Sequence, residues 1–397
     1  MTTTLLTDVD LLDADGRRND AWIVLDGDRI SAVGVAGEAP PAAVERTITL
    51  PGRTLTPGFI DLHGHGGGGA AFDNGVDEIR TALAVHRAHG TTRSVISLVA
   101  NPLEQIEESL RVVAELAATD PTVVGSHLEG PFLAIGRRGA HAPEYLSEPD
   151  PVVIARLMAA GGSSIRQVTI APELPGAIAA VRQFAAAGVV VAVGHTEADE
   201  KLTREAFDAG ATLVTHIFNA MPGIHHRDPG PIVAGFDDDR VTLELVLDGV
   251  HVHPSVAQMT FRAAPHRVAL VTDAMAAAGG GDGYYRLGSL NVTVQGGIAM
   301  LNGTQTIAGS TLTQDAALRC AVDVAGVDEA RAVEALTLTP ARVLGRADEW
   351  GLLRAGYATD VVVLDAEKRV ERVWAAGVET ACADAGAAPN DDAGGAR

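Results

Sequence analysis

The chain has few cysteines and far fewer basic than acidic side chains. Cys320 and Cys382 are the only cysteines in 397 residues, which excludes a disulfide framework and a cysteine-rich metal site. Any metal site must therefore use histidine and carboxylate ligands. The 30 Lys and Arg residues stand against 51 Asp and Glu residues, a formal charge of -21. This balance argues against nucleic-acid binding, because phosphate contacts need clustered basic residues.

Long hydrophobic runs are also missing from the sequence. No apolar stretch is long enough to cross a membrane, and the N-terminal segment MTTTLLTDVDLLDADG has neither the basic nor the hydrophobic region of a signal peptide. We therefore expect a cytoplasmic protein without membrane association. Since 47% of the residues are hydrophobic, the chain can still bury a large core, enough for one barrel and a smaller domain.

From Gly58 onward, short apolar runs alternate with amphipathic stretches. The runs are rich in β-branched residues, which is typical of strands buried on both faces of a parallel sheet. Eight such runs occur: FIDLH, TRSVISLV, TVVGSHLE, IRQVTIAP, VVVAVGH, TLVTH, TLELVLD and RVALVTD. Eight β-then-α units predict an α/β protein with a (β/α)8 TIM barrel over residues 58–350.

The two ends of the chain show a different pattern. Residues 1–57 and 351–380 contain short alternating segments separated by Gly, Asp and Pro, which predicts β-hairpins. Because chain termini are often close together, we expect both ends to form one small β-sandwich domain. A glycine-rich, hairpin-like insertion and two helices follow the eighth barrel strand. Residues 381–397 are small, polar and glycine-rich, and they are predicted to be disordered.

Side chains that bind metals or transfer protons follow several of the predicted strands. Catalytic groups at the carboxyl ends of barrel strands share one pocket. The candidates are His63, His65, Glu129, His195, His216, His251 and Asp273.

Each candidate ligand also has a simpler interpretation. His63 and His65 could be ordinary polar loop residues, Glu129 could face solvent, and His195 and His216 could bond only to the backbone. Their succession at strand ends favours a shared site instead, and an H-x-H pair in a strand can direct two imidazoles to one ion. A set of histidines and carboxylates without thiolate suits zinc, iron, manganese or cobalt.

Asp273 ends the eighth predicted strand. Next to a divalent ion its pKa would be lowered, so it would be ionised and able to take a proton from an attacking water. This predicts a general base. The alternative is a helix N-cap, but the following AMAAAGGG is a poor helix.

The motifs taken in order resemble those of the N-acetylglucosamine-6-phosphate deacetylases of the amidohydrolase superfamily, from about Leu50 to Asp360. They are TPGFIDLHGHGG, HLEGPF with RRGAH, GHT, THIFNAM with HHRDPG, DGVHVHP, VTDAM and IAGSTLT. The H-x-H pair and the final Asp are common to the superfamily, whereas LEGPF, HIFNAM and DGVH are more specific. The resemblance implies a metal-dependent hydrolase that removes the acetyl group from N-acetylglucosamine 6-phosphate. The products would be glucosamine 6-phosphate and acetate, in amino sugar catabolism or cell-wall recycling.

The resemblance also implies the ligands of the metal. Glu129, His195 and His216 would hold the principal divalent ion, with zinc the first candidate and iron, manganese or cobalt the alternatives. His63 and His65 would allow a second ion in the same chain. No lysine ends the fourth strand at QVTIAPE, so a carbamylated-lysine bridge is not expected and Glu129 would bridge the two ions.

The remaining implied roles concern catalysis, substrate and subunits. Asp273 would be the catalytic acid and base. The implied substrate contacts are Ala140 and His141 on a mobile flap, and Asn219, Ala220, Arg227, His251, Ile307 and Ala308. In the family the counterpart of Arg227 reaches the neighbouring subunit, which implies a homodimer.

Two other functions stay open on the sequence alone. One is a hydrolase that acts on a different amide, linear or cyclic. The other is a catalytically silent assembly protein of the same superfamily, which would be expected to have lost metal ligands.

Overall fold

The computed structural model describes residues 3–41 and 44–380. Five strands open the chain: β1 (Thr4–Asp13), β2 (Gly16–Asp26), β3 (Arg29–Gly34), β4 (Arg46–Thr49) and β5 (Thr54–Pro57). One edge of β1 pairs with β2 in antiparallel fashion. The other edge pairs in parallel with β4 along its first half and with β5 further on.

A parallel sheet of eight strands follows, and the predicted barrel is confirmed. Its strands are β6 (Phe59–Asp61), β9 (Thr91–Val99), β10 (Val123–Glu129), β11 (Ile165–Ile170), β12 (Val190–Val193), β13 (Ala211–Val214), β14 (Thr242–Val246) and β15 (Val268–Val271). Each strand pairs with the next one along the chain in the order given. A small antiparallel pair, β7 (Gly66–Gly67) and β8 (Ala70–Ala71), lies in the loop after β6.

Helices fill the connections between the barrel strands. They are α1 (Val76–Ala88), α2 (Leu103–Thr119), α3 (Pro151–Gly161), α4 (Ala177–Ala186), α5 (Glu200–Asp208), α6 (Gly230–Asp237) and α7 (Pro254–Ala263). Helix α2 shows why these segments fold as helices: Ile106, Leu110 and Val113 recur at helical spacing and are buried against the barrel. Asp150 and Asp199 cap α3 and α5 by accepting hydrogen bonds from backbone N–H groups in the first turn.

The barrel closes just beyond the ends of its last and first strands. The backbone N–H of Asp273 donates to the carbonyl oxygen of His63 at 2.8 Å. One residue further on, Gly64 and Ala274 form a parallel bridge. The side chain of Asp61 supports the same seam, because it accepts hydrogen bonds from the backbone N–H and hydroxyl of Thr272.

The insertion after β15 is the predicted hairpin-like segment. Strands β16 (Gly283–Leu287), β17 (Leu290–Gln295) and β18 (Ile298–Leu301) form an antiparallel sheet. Its apolar side chains share a core with Val99, Ala140 and Met275, which lie beside the carboxyl ends of the barrel strands. Three helices follow where two were predicted: α8 (Gln314–Arg319), continued by a π-helical turn over Cys320–Val324, α9 (Glu329–Leu336) and α10 (Leu338–Val343). The second predicted helix is divided at Thr337, whose backbone is not helical.

Strands β19 (Val361–Leu364), β20 (Val370–Ala375) and β21 (Val378–Thr380) return to the N-terminal strands. β19 lies antiparallel to β5, so both ends of the chain form one continuous sheet with a core of its own. The predicted small β domain made by both termini is confirmed, while its residue limits stay a prediction. A buried ion pair between Arg93 of β9 and Asp360 ties this sheet to the barrel at 2.7 Å. The predicted disorder of residues 381–397 lies outside the described residues.

Among the described residues, no helix combines the length and the apolar composition that crossing a membrane requires.

Candidate active site

Glu129, the last residue of β10, lies at the centre of a cluster of imidazoles. Its Oε1 atom is 3.1 Å from the Nε2 atoms of both His195 and His216 and 3.2 Å from Nε2 of His63. Its Oε2 atom is 3.0 Å from Nε2 of His65 and 3.4 Å from Nε2 of His141. The structure therefore brings all five predicted ligands together at the carboxyl ends of the barrel strands.

Asp273 joins the cluster from the opposite side of the barrel seam. Its Oδ1 atom lies 3.3 Å from Nε2 of His65 and 3.6 Å from Nε2 of His63. The predicted proton acceptor is thus next to the H-x-H pair.

The backbone at three of these strand ends has an unusual conformation. His195, His216 and Asp273 all have positive φ angles, +46°, +28° and +48°. This left-handed region costs a non-glycine residue on the order of 1 kcal/mol or more. The reversal turns each side chain away from the strand direction and into the common pocket.

Burial and the neighbouring histidines have opposite effects on the pKa values of the two carboxylates in the cluster. Burial would raise the pKa of Glu129, but the charge of His63 and hydrogen bonds from His141 and His195 hold it well below its usual value. Burial also opposes ionisation of Asp273, yet His63 and a hydrogen bond from His65 lower its pKa. Both carboxylates are therefore ionised, and they attract positive charge to this point.

The two histidines of the first strand respond to these carboxylates. Burial lowers the pKa of His65, but hydrogen bonds to Asp273 and Glu129 outweigh it and raise the pKa to about 9. Burial likewise opposes protonation of His63, and the charges of Glu129 and Asp273 raise its pKa well above the usual value. The two carboxylates therefore favour positive charge at both imidazoles of the H-x-H pair.

The donor set fits a divalent cation. The Nε2 atoms of His195 and His216 are 2.9 Å apart, and those of His63 and His65 are 3.2 Å apart. Two ring nitrogens at such a distance can coordinate the same small cation. An imidazole that coordinates a metal has to be neutral. Two overlapping groups of ligand atoms occur in the described part of the chain: His63, His65, Glu129 and Asp273, and Glu129, His141 and His195. Glu129 belongs to both groups, so it lies where a bridging ligand would. The second group contains His141, which was predicted as a substrate contact, and not the predicted ligand His216, although Nε2 of His216 also lies 3.1 Å from Oε1 of Glu129.

Hydrogen bonds to the second ring nitrogen orient two of the histidines. Nδ1 of His195 donates to the carbonyl oxygen of Arg137 at 2.7 Å. Nδ1 of His63 lies 3.2 Å from Oε2 of Glu244. In both rings Nε2 is left facing Glu129.

A pocket of about 360 Å³ opens above the cluster. Most predicted site residues line it: His65, Glu129, Ala140, His141, His195, His216, Asn219, Ala220, His251, Asp273 and Ile307. His251 is held by Asp248, whose carboxylate lies 2.7 Å from its Nδ1 atom. Burial lowers the pKa of His251, but this hydrogen bond and the charge of Asp248 outweigh burial and raise it.

Three predicted residues lie outside the lining of this pocket. His63 is fully buried beneath it and contacts Glu129. Ala308 is also buried, and its backbone N–H bonds to the carbonyl oxygen of Ala299 in the insertion. Arg227 is exposed in the loop before α6, where its guanidinium lies 2.6 Å from Nε2 of His226.

Sequence reasoning missed a polar layer inside the barrel. Nδ1 of His127 bonds to the hydroxyl of Ser97 at 2.9 Å, and its Nε2 bonds to that of Thr169 at 2.8 Å. Burial holds the pKa of His127 well below the usual value, so the ring is neutral. Glu244 belongs to the same layer. The sequence contained a sign of it, because a Glu inside the apolar run TLELV would be buried and would need a polar partner.

A barrel of eight parallel strands with a His, Glu and Asp cluster at its carboxyl end is compatible with a divalent metal site, the arrangement typical of amidohydrolases. A model of the amidohydrolase family matches residues 54–381, and the chain belongs to this family.

Two relatives and one solved structure are more specific. The chain is 38% identical to the N-acetylgalactosamine-6-phosphate deacetylase of Escherichia coli O157:H7 over 342 residues, 85% of this chain and 89% of that protein. It is 36% identical to the N-acetylglucosamine-6-phosphate deacetylase of Homo sapiens, over 82% of this chain and 83% of that one. A variant of N-acetyl-D-glucosamine-6-phosphate deacetylase from Mycobacterium smegmatis, solved with N-acetyl-D-glucosamine 6-phosphate, superposes with a TM-score of 0.90 at 44% identity. It covers 96% of this chain and 99% of that chain. The resemblance to these deacetylases is confirmed.

Proposed function

We propose that the protein is a metal-dependent hydrolase that deacetylates N-acetylglucosamine 6-phosphate to glucosamine 6-phosphate and acetate. The observation that carries this proposal is the convergence of Asp273 with the imidazoles around Glu129 at the floor of one pocket. The named activities of the similar proteins support the same reaction and the same class of substrate. The reaction belongs to amino sugar catabolism or cell-wall recycling.

Glu129, His195 and His216 would hold the principal divalent ion, and His63 and His65 a second one. When bound, such an ion polarises the acetamido carbonyl and makes a water molecule more acidic. Zinc is the first candidate, with iron, manganese and cobalt as alternatives, since imidazole and carboxylate ligands suit all four.

Asp273 performs the proton transfers. Its carboxylate is ionised, so it can accept the proton of the attacking water. Attack on the carbonyl carbon gives a tetrahedral intermediate. Asp273 then returns the proton to the departing amine, which leaves as glucosamine 6-phosphate while acetate is released. The hydrogen bond from the Asp273 backbone to His63 fixes the carboxylate beside the ligands during both transfers.

The other lining residues bind the sugar phosphate. His251, held by Asp248, would contact the sugar, and Asn219 with Ala220 would meet the phosphate. The net charge of -21 disfavours an anionic substrate at long range, so local cations must provide the attraction. Arg227 is exposed and does not line the pocket of its own chain, which supports a homodimer in which it serves the neighbouring site. A cytoplasmic location is part of the same proposal.

A second candidate substrate is N-acetylgalactosamine 6-phosphate, because the relative from Escherichia coli O157:H7 is named for that activity. The two sugars differ only at one hydroxyl group, which leaves the chemistry at the cluster unchanged. A catalytically silent assembly role is disfavoured, since all five predicted metal ligands lie together.

The test is acetate release by the metal-loaded protein from both hexosamine 6-phosphates, with unphosphorylated N-acetylglucosamine beside them. We expect turnover of a phosphorylated sugar and much slower turnover of the unphosphorylated one. Asp273→Asn serves as the inactive control. If no acetate is released from any of the three sugars, the proposed function is wrong.

A further inference from the structure

Glu244 is a fully buried carboxylate in the middle of β14, inside the barrel and below the cluster. Its Oε2 atom lies 3.2 Å from Nδ1 of His63 and 3.3 Å from the backbone N of His216. Its Oε1 atom accepts a hydrogen bond from Nε2 of Gln167 at 2.7 Å. A carboxylate buried without such partners would strongly destabilise the fold, so the role of Glu244 is to be sought in these contacts.

The contact with His63 decides which ring nitrogen is available. Both oxygens of Glu244 already accept hydrogen bonds, Oε1 from the Gln167 amide and Oε2 from the His216 backbone N–H, so Glu244 is the acceptor and Nδ1 of His63 carries the hydrogen. In a neutral imidazole the lone pair is then on Nε2, the atom that lies 3.2 Å from Oε1 of Glu129. Glu244 thereby directs the coordinating atom of His63 toward the rest of the cluster.

We propose that Glu244 is a positioning residue for the ion held by the H-x-H pair: it fixes the tautomer and orientation of His63. The inference rests on the proposed metal-dependent function. His65 has no comparable support, because its Nδ1 atom is buried without a hydrogen-bond partner among the described residues. Within the H-x-H pair, the contact with Glu244 is therefore the hydrogen bond that orients a ring from its second nitrogen.

The loop that carries His216 has an additional anchor. The backbone N–H of Ile217 donates to the backbone carbonyl of Glu244 at 2.8 Å, and no side-chain substitution at position 244 removes this bond. The Glu129, His195 and His216 site should therefore change less than the H-x-H site when the side chain of Glu244 is altered.

Two substitutions separate positioning from simple filling of the core. Glu244→Leu keeps the volume but removes the acceptor for His63. Glu244→Gln keeps an acceptor, because Oε1 of Gln167 has no partner in the described part of the chain and the Gln167 amide can turn to receive the new N–H group. Thr169→Val is the matched control: Thr169 is equally buried in the polar layer, bonds to His127 and Thr215, and has no hydrogen bond to His63.

The measurement is calorimetric titration of each metal-free protein with zinc. We expect Glu244→Leu to weaken the second, weaker binding event by about 10- to 100-fold, the usual effect of losing a hydrogen bond behind a metal ligand. Glu244→Gln should recover most of this loss, and Thr169→Val should bind as wild type does. Equal binding by Glu244→Leu and wild type would overturn the inference, as would an equal loss in Thr169→Val.

If Glu244→Leu does not fold, Glu244→Gln is compared in the wild-type and His63→Asn backgrounds. An effect on zinc binding that disappears without His63 supports the inference, and an effect of unchanged size contradicts it. A wild-type protein that binds only one ion also overturns it. The proposed function is tested on the wild-type protein, by acetate release from the sugar phosphates. If the wild type releases acetate while Glu244→Leu binds zinc as the wild type does, this inference fails and the proposed function stands.

Discussion

Asp273 and His63, at the ends of the last and first barrel strands, are joined through both backbone and side chain. The Asp273 N–H donates to the His63 carbonyl oxygen at 2.8 Å, and Oδ1 of Asp273 lies 3.6 Å from Nε2 of His63. The contact that closes the barrel therefore also sets the distance between the proposed proton acceptor and the H-x-H pair. A substitution that displaces Asp273 or His63 should therefore affect both the stability of the barrel and the proton transfer.

Asp273→Asn should abolish most turnover while leaving metal binding in place. The amide has the shape of the carboxylate but cannot accept the proton of the attacking water, so we expect kcat to fall by about 10²- to 10⁴-fold. Steady-state acetate release and elemental analysis of the same preparation measure the two effects. Near-normal turnover would assign the proton transfer to another group, such as His251 or His141.

Replacing the H-x-H pair should remove one of the two proposed ions. His63→Asn with His65→Asn takes away two imidazoles that contact Glu129, whereas His195 and His216 stay within 3.1 Å of it. We expect the variant to lose the weaker ion, keep the tighter one and lose activity. Unchanged metal content and unchanged activity would show that the pair does not bind an ion.

Arg227→Ala should reduce the preference of the enzyme for the phosphorylated sugar. Its guanidinium is a forked donor suited to phosphate, so kcat/KM should fall far more for the phosphorylated than for the unphosphorylated sugar. Arg182→Ala is a suitable control, because Arg182 is exposed on α4 and does not line the pocket, whereas the flap residues Arg137 and Arg138 are expected to assist Arg227.

The same variant tests whether Arg227 acts across a dimer. When Asp273→Asn subunits exchange with Arg227→Ala subunits, one site in each mixed dimer combines an intact Asp273 with the neighbour's Arg227. Activity should therefore recover on mixing. Mixed dimers that are no more active than their parents would place Arg227 at its own site or away from phosphate altogether.

Asp315 should make the stability of the folded protein depend on pH. Burial raises its pKa, but His89, Arg319 and Thr313 outweigh burial and lower the pKa from 3.8 to about 2. The lowered value means that the stabilisation is fully present above the unfolded pKa and is lost as the pH falls toward 2. The shift corresponds to about 2 kcal/mol of free energy of unfolding.

Urea unfolding of wild type and Asp315→Asn measures this contribution. We expect the variant to be less stable at pH 6, where the wild-type carboxylate is ionised. The difference should shrink as the pH is lowered through 4 toward 3. A difference that stays constant over this range would mean that the charge of Asp315 contributes nothing.

The sequence determined the architecture and the chemical identity of the site. Eight β-branched runs separated by amphipathic stretches specify a barrel, because the hydrophobic period differs between strands and helices. Metal-binding side chains directly after those runs had to meet, since the carboxyl ends of parallel strands lie at one edge. The sequence alone therefore groups Glu129, His195, His216 and Asp273 in one site.

The tertiary structure decided how those residues are held. The left-handed backbone at His216 and the contact of Glu244 with His63, 181 positions apart, depend on barrel closure. Local periodicity carries no information about such partners, because inward-facing side chains from distant strands meet only when the sheet curls. The burial of Ala308 behind the pocket follows for the same reason, since the insertion that covers it is placed by packing across the barrel mouth.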